Sequence, residues 1–453
     1  GKDKNEAQLR GIDGETVKVR AAAKKAEPGY RLNGKFSLDH QKLGIDEFRF
    51  ETGLLDNPYG ADGKASIDLG MSPHFAIEAS GAQMQFDEAV GGEAAGGEAG
   101  GGLTLEERIA ALERTLLALP KPTIPGTVEV RLPAVVAGDT TIRDVHLSAE
   151  PAPGGWAVKS LQATLPGRTT LEAKGLLGVE KKFGFTGSLL LAVAQPSGFA
   201  AWLSSDVDEA IRRLPAAGFK ANVDLTDERQ TFSDLELILG KAKFSGSIDS
   251  SQPPDARPSV QMKLDGGELD VEGLAAFASL FVSDKGANHF ADRDLDFQIR
   301  AGPVTAGGLT ADTLDTALRL REGTLEVDRL SLGGLAGASL SATGRIKNFP
   351  ANPTGNLDAS LVGVDLRPLV DAAAAQYPDN ALLKGLAARA ADYPELLQDA
   401  RIDFVTSAAG NSDGTNGLAL SAQGTAGGTA FSASLSGQGT MQALSDASLA
   451  LTF

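Results

Sequence analysis

The chain has 453 residues, with 42 Lys and Arg against 59 Asp and Glu for a net charge of −17, and no cysteine. That balance argues against nucleic acid as a partner, since a phosphate backbone is held by clustered Lys and Arg and no such cluster is visible. Without cysteine there is no disulfide framework, no thiolate nucleophile and no Cys-ligated zinc.

No stretch approaches the ~18 consecutive apolar residues of a membrane span. The chain opens at Gly1 and stops in the strand-like Ala447–Phe453, so the expectation is a fragment or processed product whose anchor lies outside it.

From the first third onward, apolar residues alternate with polar ones. The pattern is seen at Phe48 and Phe50, Phe75 and Ile77, and Val128, Val130 and Leu132. It recurs at Phe219, Ala221, Val223 and Leu225, at Leu235 and Leu237, and at Val260, Met262 and Leu264. Leu295, Phe297 and Ile299, then Leu325 and Val327, continue it. Successive strand side chains point to opposite faces, so these segments predict a sheet with one apolar and one wet face, usually antiparallel. Turn signals at Asn33-Gly34, Asp56-Asn57-Pro58, Gly154-Gly155, Pro253-Pro254, Gly266-Gly267, Gly307-Gly308 and Gly333-Gly334 divide the chain. They predict ~20–25 strands, too many for a flat open sheet.

Helices interrupt the strands. Gly91–Gly102 reads as a flexible linker, and Leu103–Leu119 as a helix capped by Thr104, with Ile109, Leu112, Leu116 and Leu119 on one stripe. Further helices are expected at Phe199–Arg213, Leu274–Val282, Pro368–Gln376 and Ala381–Leu397, capping the sheet or crossing its open edge. The expected organisation is a first β-groove segment over 1–88 and the linker with its helix over 89–120. Second and third β-groove segments follow over 121–290 and 291–453.

A unit repeats without a fixed period. A strand ending in apolar alternation is followed by a turn and a return strand carrying glycine, as at Gly63, Gly175, Gly246 and Gly344. Glycine within a strand predicts a bulge or bend there. Pro73, Pro258 and Pro353 each open a further strand. After the last two, the chain runs into the helices beginning near Val271 and Leu366.

Motifs for chemistry fail on inspection. His40, His74, His146 and His289 have no metal-ligand spacing. Asp292-Arg293-Asp294-Leu295-Asp296 starts like a calcium loop, but Phe297 and Pro303 stand where Gly and Glu are needed, leaving solvent-side carboxylates at a strand entrance. Gly29–Lys35 matches a phosphate loop until Phe36 replaces the hydroxyl and a strand follows instead of a helix. No serine nucleophile elbow is counted. The expectation is no enzyme and no cofactor.

The unit of Leu-x-Leu, turn, Ala-x-Gly-x-apolar, Pro, strand and Asp-Leu helix start is clearest across Asp328–Leu369 and Phe232–Phe277. With Ile142–Leu177, it resembles the AsmA-like proteins of Gram-negative bacteria. The likeness runs over most of the chain from about Tyr30, with Gly91–Leu119 as an unmatched insertion. The resemblance implies a periplasmic, inner-membrane-anchored β-groove protein of the AsmA/TamB bridge-like lipid-transport kind, supporting outer-membrane biogenesis, with no catalytic residues.

The expected fold is therefore mainly β with a few amphipathic helices, a long curled antiparallel-rich sheet forming a taco-like groove of repeated β units. Phospholipid acyl chains would lie on Phe48, Phe50, Phe75, Ile77, Val128, Val130, Phe219, Val223, Leu235, Leu237, Val260, Met262, Leu264, Leu295, Phe297, Ile299, Leu325 and Val327. The alternative expectation is a structural or assembly factor holding outer-membrane or other envelope proteins through sheet-edge or helix contacts.

Overall fold

In the computed structural model, the described residues are 6–10, 16–20, 30–52, 59–85, 113, 117, 123–137, 140–179, 182–203, 207–279, 293–349, 353–378, 380–410, 416–440 and 443–452. The protein is mainly β, 68% strand and 13% helix, with one long antiparallel-rich sheet of 22 strands. Two compact units are distinguished, Gly1–Gly100 with Ile124–His146, and Gly101–Thr123 with Leu147–Phe453. The expected linker and its helix fall outside the described residues except for Glu113 and Leu117, both helical.

The first unit holds β1 (Glu6–Arg10), β2 (Thr16–Arg20), β3 (Tyr30–Leu38), β4 (Lys42–Thr52), β5 (Tyr59–Asp68), β6 (His74–Gln85) and β7 (Gly126–Ala137). β1 and β2 form a separate pair, and β3 to β6 pair antiparallel in chain order. β6 and β7 pair in parallel. Ala61, Leu132 and Val135 make its small core, with Val130, Ile142 and Val145 packed against it.

The chain passes into the second unit within β8 (Thr140–Ala152). There follow β9 (Gly155–Leu165), β10 (Thr169–Gly178), β11 (Gly184–Val193), β12 (Ala217–Thr226), β13 (Arg229–Leu239), β14 (Ala242–Ser251) and β15 (Ser259–Gly266). Next come β16 (Leu269–Asp270), β17 (Asp294–Ala301), β18 (Val304–Ala306), β19 (Leu309–Ala311), β20 (Thr313–Arg321) and β21 (Thr324–Leu335). The last are β22 (Ala338–Lys347), β23 (Thr354–Asp365), β24 (Gln398–Gly410), β25 (Asn416–Ala426), β26 (Thr429–Thr440) and β27 (Ala443–Thr452). From β9 the ladder runs in chain order to β27, leaving aside β16, β18 and β19, which form a small side sheet. The expected division at 290/291 falls between β15 and β17, which are paired neighbours in this unit.

Two pairs of the long ladder, β6 with β7 and β15 with β17, depart from the antiparallel expectation. A parallel neighbour needs a crossover, and both occur where a long stretch intervenes. Proline opens β6, β15 and β23 as expected, since Pro73, Pro258 and Pro353 stand immediately before their first residues.

The glycine repeat has a common geometry. Gly63, Gly246 and Gly344 lie opposite Phe48, Leu235 and Val327, each beside a register shift in the preceding strand, and Gly175 borders the shift between β9 and β10. On the other side, a Cβ at any of the four would overlap a carbonyl oxygen of the next strand, that of Glu78, Thr186, Lys263 or Asn356. The bulge tightens the local twist and glycine lets the strands approach. The Phe48 ring lies over Gly63 and the Phe75 ring over Gly126, filling the space a side chain would take.

Asn33-Gly34, expected as a turn, instead lies inside β3 opposite Arg49 and Phe48 and beside another register shift. Gly333-Gly334 is likewise inside β21 at a shift. In both, glycine serves a bulge and the chain does not reverse.

Five helices of the second unit share one address, whereas the helical Glu113 hydrogen-bonds Asp227 at the other end of the strands. Pro196–Leu203 and Glu209–Arg213 join β11 to β12, Val271–Ser279 follows β15 and β16, and Arg367–Gln376 and Ala381–Asp392 join β23 to β24. By the alternating strand directions these connections leave from the same end of the strands. At the other end, Asp227-Glu228 and Glu322-Gly323 are two-residue turns and Gln252–Pro258 is a seven-residue loop without a helix. The expected single helix at Phe199–Arg213 is two, because the Asp208 carboxylate accepts from Ala210 N at 2.7 Å and starts a new N-terminus. The Gly307-Gly308 turn ties the helical end together. Gly307 N donates to Glu272 Oε1 at 2.7 Å, and a Cβ at Gly307 would lie 3.7 Å from Gln376 Nε2.

Candidate functional site

Within each unit the expected lining residues share one face. In the first unit Ile77 lies opposite Val128, and Val130 opposite Ala79. Phe75 is buried, Phe48, Ile77, Val128 and Val130 are half-buried, and the Phe50 side chain lies outside the described residues. In the second unit Phe219 pairs with Leu237, Val260 with Leu295, Leu264 with Ile299, and Leu320 with Leu325. None of the described candidates is exposed, whereas Lys220, Asn222, Glu236, Gln261, Lys263 and Gln298 between them are.

Two zones divide this face. Val223, Leu235, Leu237 and Leu264 are buried in one cluster with Phe199, Leu203 and Phe277 of the helices, so the expected open lining is filled at the helical end. The helices bring a hydrophobic stripe of their own, and burying it against the nearest apolar strand ends costs less than leaving both wet. Phe219, Met262 and Ile299 pack on the edge of this cluster.

Along the edge of this cluster, sharing Val223 with it and packed against it at Phe232, Ile248 and Met262, a single row crosses the sheet. From β9 to β27 the residues Val158, Gly175, Gly187, Val223, Phe232, Ile248, Met262 and Phe297 are successive cross-strand partners. Leu318, Val327, Gly344, Leu357, Thr406, Leu420, Leu435 and Leu449 complete the series. Sixteen strands thus contribute no charge to the row and one hydroxyl. At ~4.8 Å per strand the row is about 70 Å long. Most of its members are half-buried, and Leu449 is 57% exposed. Sequence reasoning found Val223, Met262, Phe297 and Val327 of this row. It missed Val158, Phe232, Ile248, Leu318 and the β22–β27 members, although the alternation around Leu357 and Leu420 was available as a signal.

The opposite face is charged. Arg319 donates to Asp328 from Nε and Nη2, both at 2.5 Å, and reaches Glu326 at 3.0 Å, while Arg345 pairs with Glu326. Arg329 lies 2.8 Å from Asp315. Hydrogen bonds from Arg319 hold the Asp328 carboxyl below its ordinary value, and those from Arg367 do the same for Asp365. A carboxyl depressed on folding adds stability in full above its unfolded-chain pKa of ~3.9 and loses it as pH falls through the lower folded value. We therefore expect the denaturant midpoint to drop on acidification below about pH 4. Asp328→Asn should flatten part of that drop, and an unchanged acid profile would remove the assignment. Both partners are substantially solvated, so the effect is modest.

The expected chemical motifs lie as follows. His40, His74 and His146 are exposed, and His289 falls outside the described residues, as does Asp292. Among the described residues no group of three His, Asp or Glu side chains could hold a metal. Asp294, read as solvent-facing, is half-buried and pairs with Arg257 at 3.0 Å. Tyr30–Lys35 lies in β3, a strand where a phosphate loop needs a helix. Gly410-Asn411-Ser412-Asp413-Gly414 does spell the GxSxG pattern that the sequence reading counted as absent. It joins β24 to β25, which pair with each other, whereas a nucleophile elbow turns from strand into helix. Residues 411–415 themselves lie outside the described set. Among the described residues no helix is long and apolar enough to cross a membrane.

Compared with protein-family models, curated proteins and solved structures, the chain matches none.

Proposed function

We propose that the apolar face of the sheet binds and conducts phospholipid acyl chains. The protein would work in the periplasm, held at the inner membrane by an anchor outside this chain, and pass lipid between inner and outer membranes in support of outer-membrane biogenesis. In this reading the sheet curls as a taco-like groove, with hydrocarbon on the row from Val158 to Leu449 and headgroups in water. The chemistry needed is only solvation. Each CH2 kept from water is worth about 0.8 kcal/mol, so a continuous uncharged lining lowers the barrier to movement without bond making or a cofactor.

The observation that carries this reading is that row, uncharged over sixteen strands and only half-buried along most of its length. A closed core would bury it as the helical-end cluster buries Leu235 and Leu264, at 2% and 4% exposure. The resemblance of the repeat units to AsmA-like proteins supports the same direction. The test is mass spectrometry of lipids extracted from the purified full chain. Phospholipid should be recovered in at least stoichiometric amount, and a lipid-free protein that also takes up none from mixed vesicles would rule the conduit out.

A further inference from the structure

We infer that the first unit docks on a phospholipid bilayer through the tip made by the β3–β4 and β5–β6 connections, which seats Phe36, Leu38, Leu69 and Met71 among the acyl chains. This rests on the lipid-binding reading for the nature of the occupant and adds to it the place where the sheet meets a membrane.

Phe36 is 74%, Leu38 64% and Leu69 48% exposed, and Met71 is fully so. Large apolar side chains gathered in water mark a surface that associates with something. Two neighbouring connections, Asp39–Gln41 and Leu69–Pro73, carry or flank them and are tied where Leu69 N donates to Gln41 O at 2.6 Å. Asp39 Oδ1 accepts from Gln41 N and Lys42 N, both at 2.7 Å, and Asp68 Oδ1 accepts from Gly70 N at 2.8 Å. These amides keep their partners when the tip leaves water, as entry into a bilayer requires. A strand added along β3 would reach Phe36 and Leu38, but Leu69 and Met71 lie past the end of β5. A fluid apolar phase covers all four. Over residues 36–42 and 67–75 the formal charges are Asp39 and Asp68 against Lys42, in a chain of net charge −17. The tip is thus close to neutral and suits zwitterionic headgroups. It also opens onto the apolar face, since Leu38, Leu43, Ile67 and Phe75 are successive cross-strand partners. An acyl chain leaving the bilayer at Leu38 meets that face directly.

The chain has no cysteine, so Met71→Cys and Ser80→Cys each carry a single nitrobenzoxadiazole label on the full protein. Ser80 is the control, exposed within β6 and paired with Asp62 and Arg131 on the polar face. The probe is phosphatidylcholine vesicles, with and without a nitroxide near the acyl carbonyl. On vesicles the label at 71 should brighten, shift to the blue and be quenched by the nitroxide lipid, while the label at 80 stays in water. Met71→Asp in the unlabelled chain should lower partitioning onto vesicles by about tenfold or more with the fold unchanged, because burying a methionine side chain is worth at least that. A label at 71 that stays in water, on protein that carries co-purified phospholipid, would overturn the inference and leave the conduit standing. A label that brightens without vesicles reports a protein contact, a second copy included, and overturns it as well. Insertion at 71 by protein that neither co-purifies with phospholipid nor takes it up would uphold the docking tip and remove the conduit alone.

Discussion

Gly246→Ala should destabilise the second unit by about 3 kcal/mol or more, near the upper end for a packing substitution. The new methyl would overlap the backbone carbonyl oxygen of Lys263, and no side-chain rotation relieves that contact. The carbonyl cannot swing away without breaking the ladder between Gly246 and Leu264, and the other neighbour is already committed to a bulge between Phe232 and Leu235. Gly385→Ala is the matched control. That glycine lies within the helix Ala381–Asp392, nothing stands within 4 Å of its would-be Cβ, and alanine there should stabilise by about 0.5–1 kcal/mol. Denaturant midpoints of the two variants should move in opposite directions. Equal behaviour would mean that glycine at the bulge is incidental.

That contrast bears on what the sequence discloses. Alternation around Phe219, Met262 and Phe297 identifies which side chains share a face, because the strand period is local and a slip of one residue would expose all of them. The strand-opening prolines and the bulge glycines were legible for the same reason, as each acts on its own backbone. Pairing partners are another matter. Nothing in Val260–Leu264 says that its next neighbour is Leu295–Ile299 in parallel, since that choice is made by a crossover and by packing over thirty residues away. The sidedness of the helices was hidden too. Leu103–Leu119 and Phe199–Arg213 look alike as amphipathic stretches, and only the strand count between connections places the second at one end of the strands. The filled part of the apolar face follows from that placement, so the residues expected to line an open surface divide into a packed set and an accessible one.

The division supplies the decisive comparison. Leu264 and Met262 are two residues apart on β15 and face the same way, but Leu264 is 4% exposed within the helical-end cluster whereas Met262 is half-buried in the long row. Leu264→Asp places a carboxylate where no partner exists and should cost about 3–5 kcal/mol, visible as loss of the folded second unit. Met262→Asp can turn its charge toward water, so the fold should survive with a loss near 1 kcal/mol. Its effect belongs to the ligand. Met262 lies opposite Ile248 and Phe297. A carboxylate there faces any chain running along the row, which should reduce co-purifying phospholipid by about tenfold, the equivalent of 1.4 kcal/mol. Met262→Leu preserves volume and should retain both stability and lipid. If Met262→Asp kept its fold and its full lipid load, acyl chains would not follow this row.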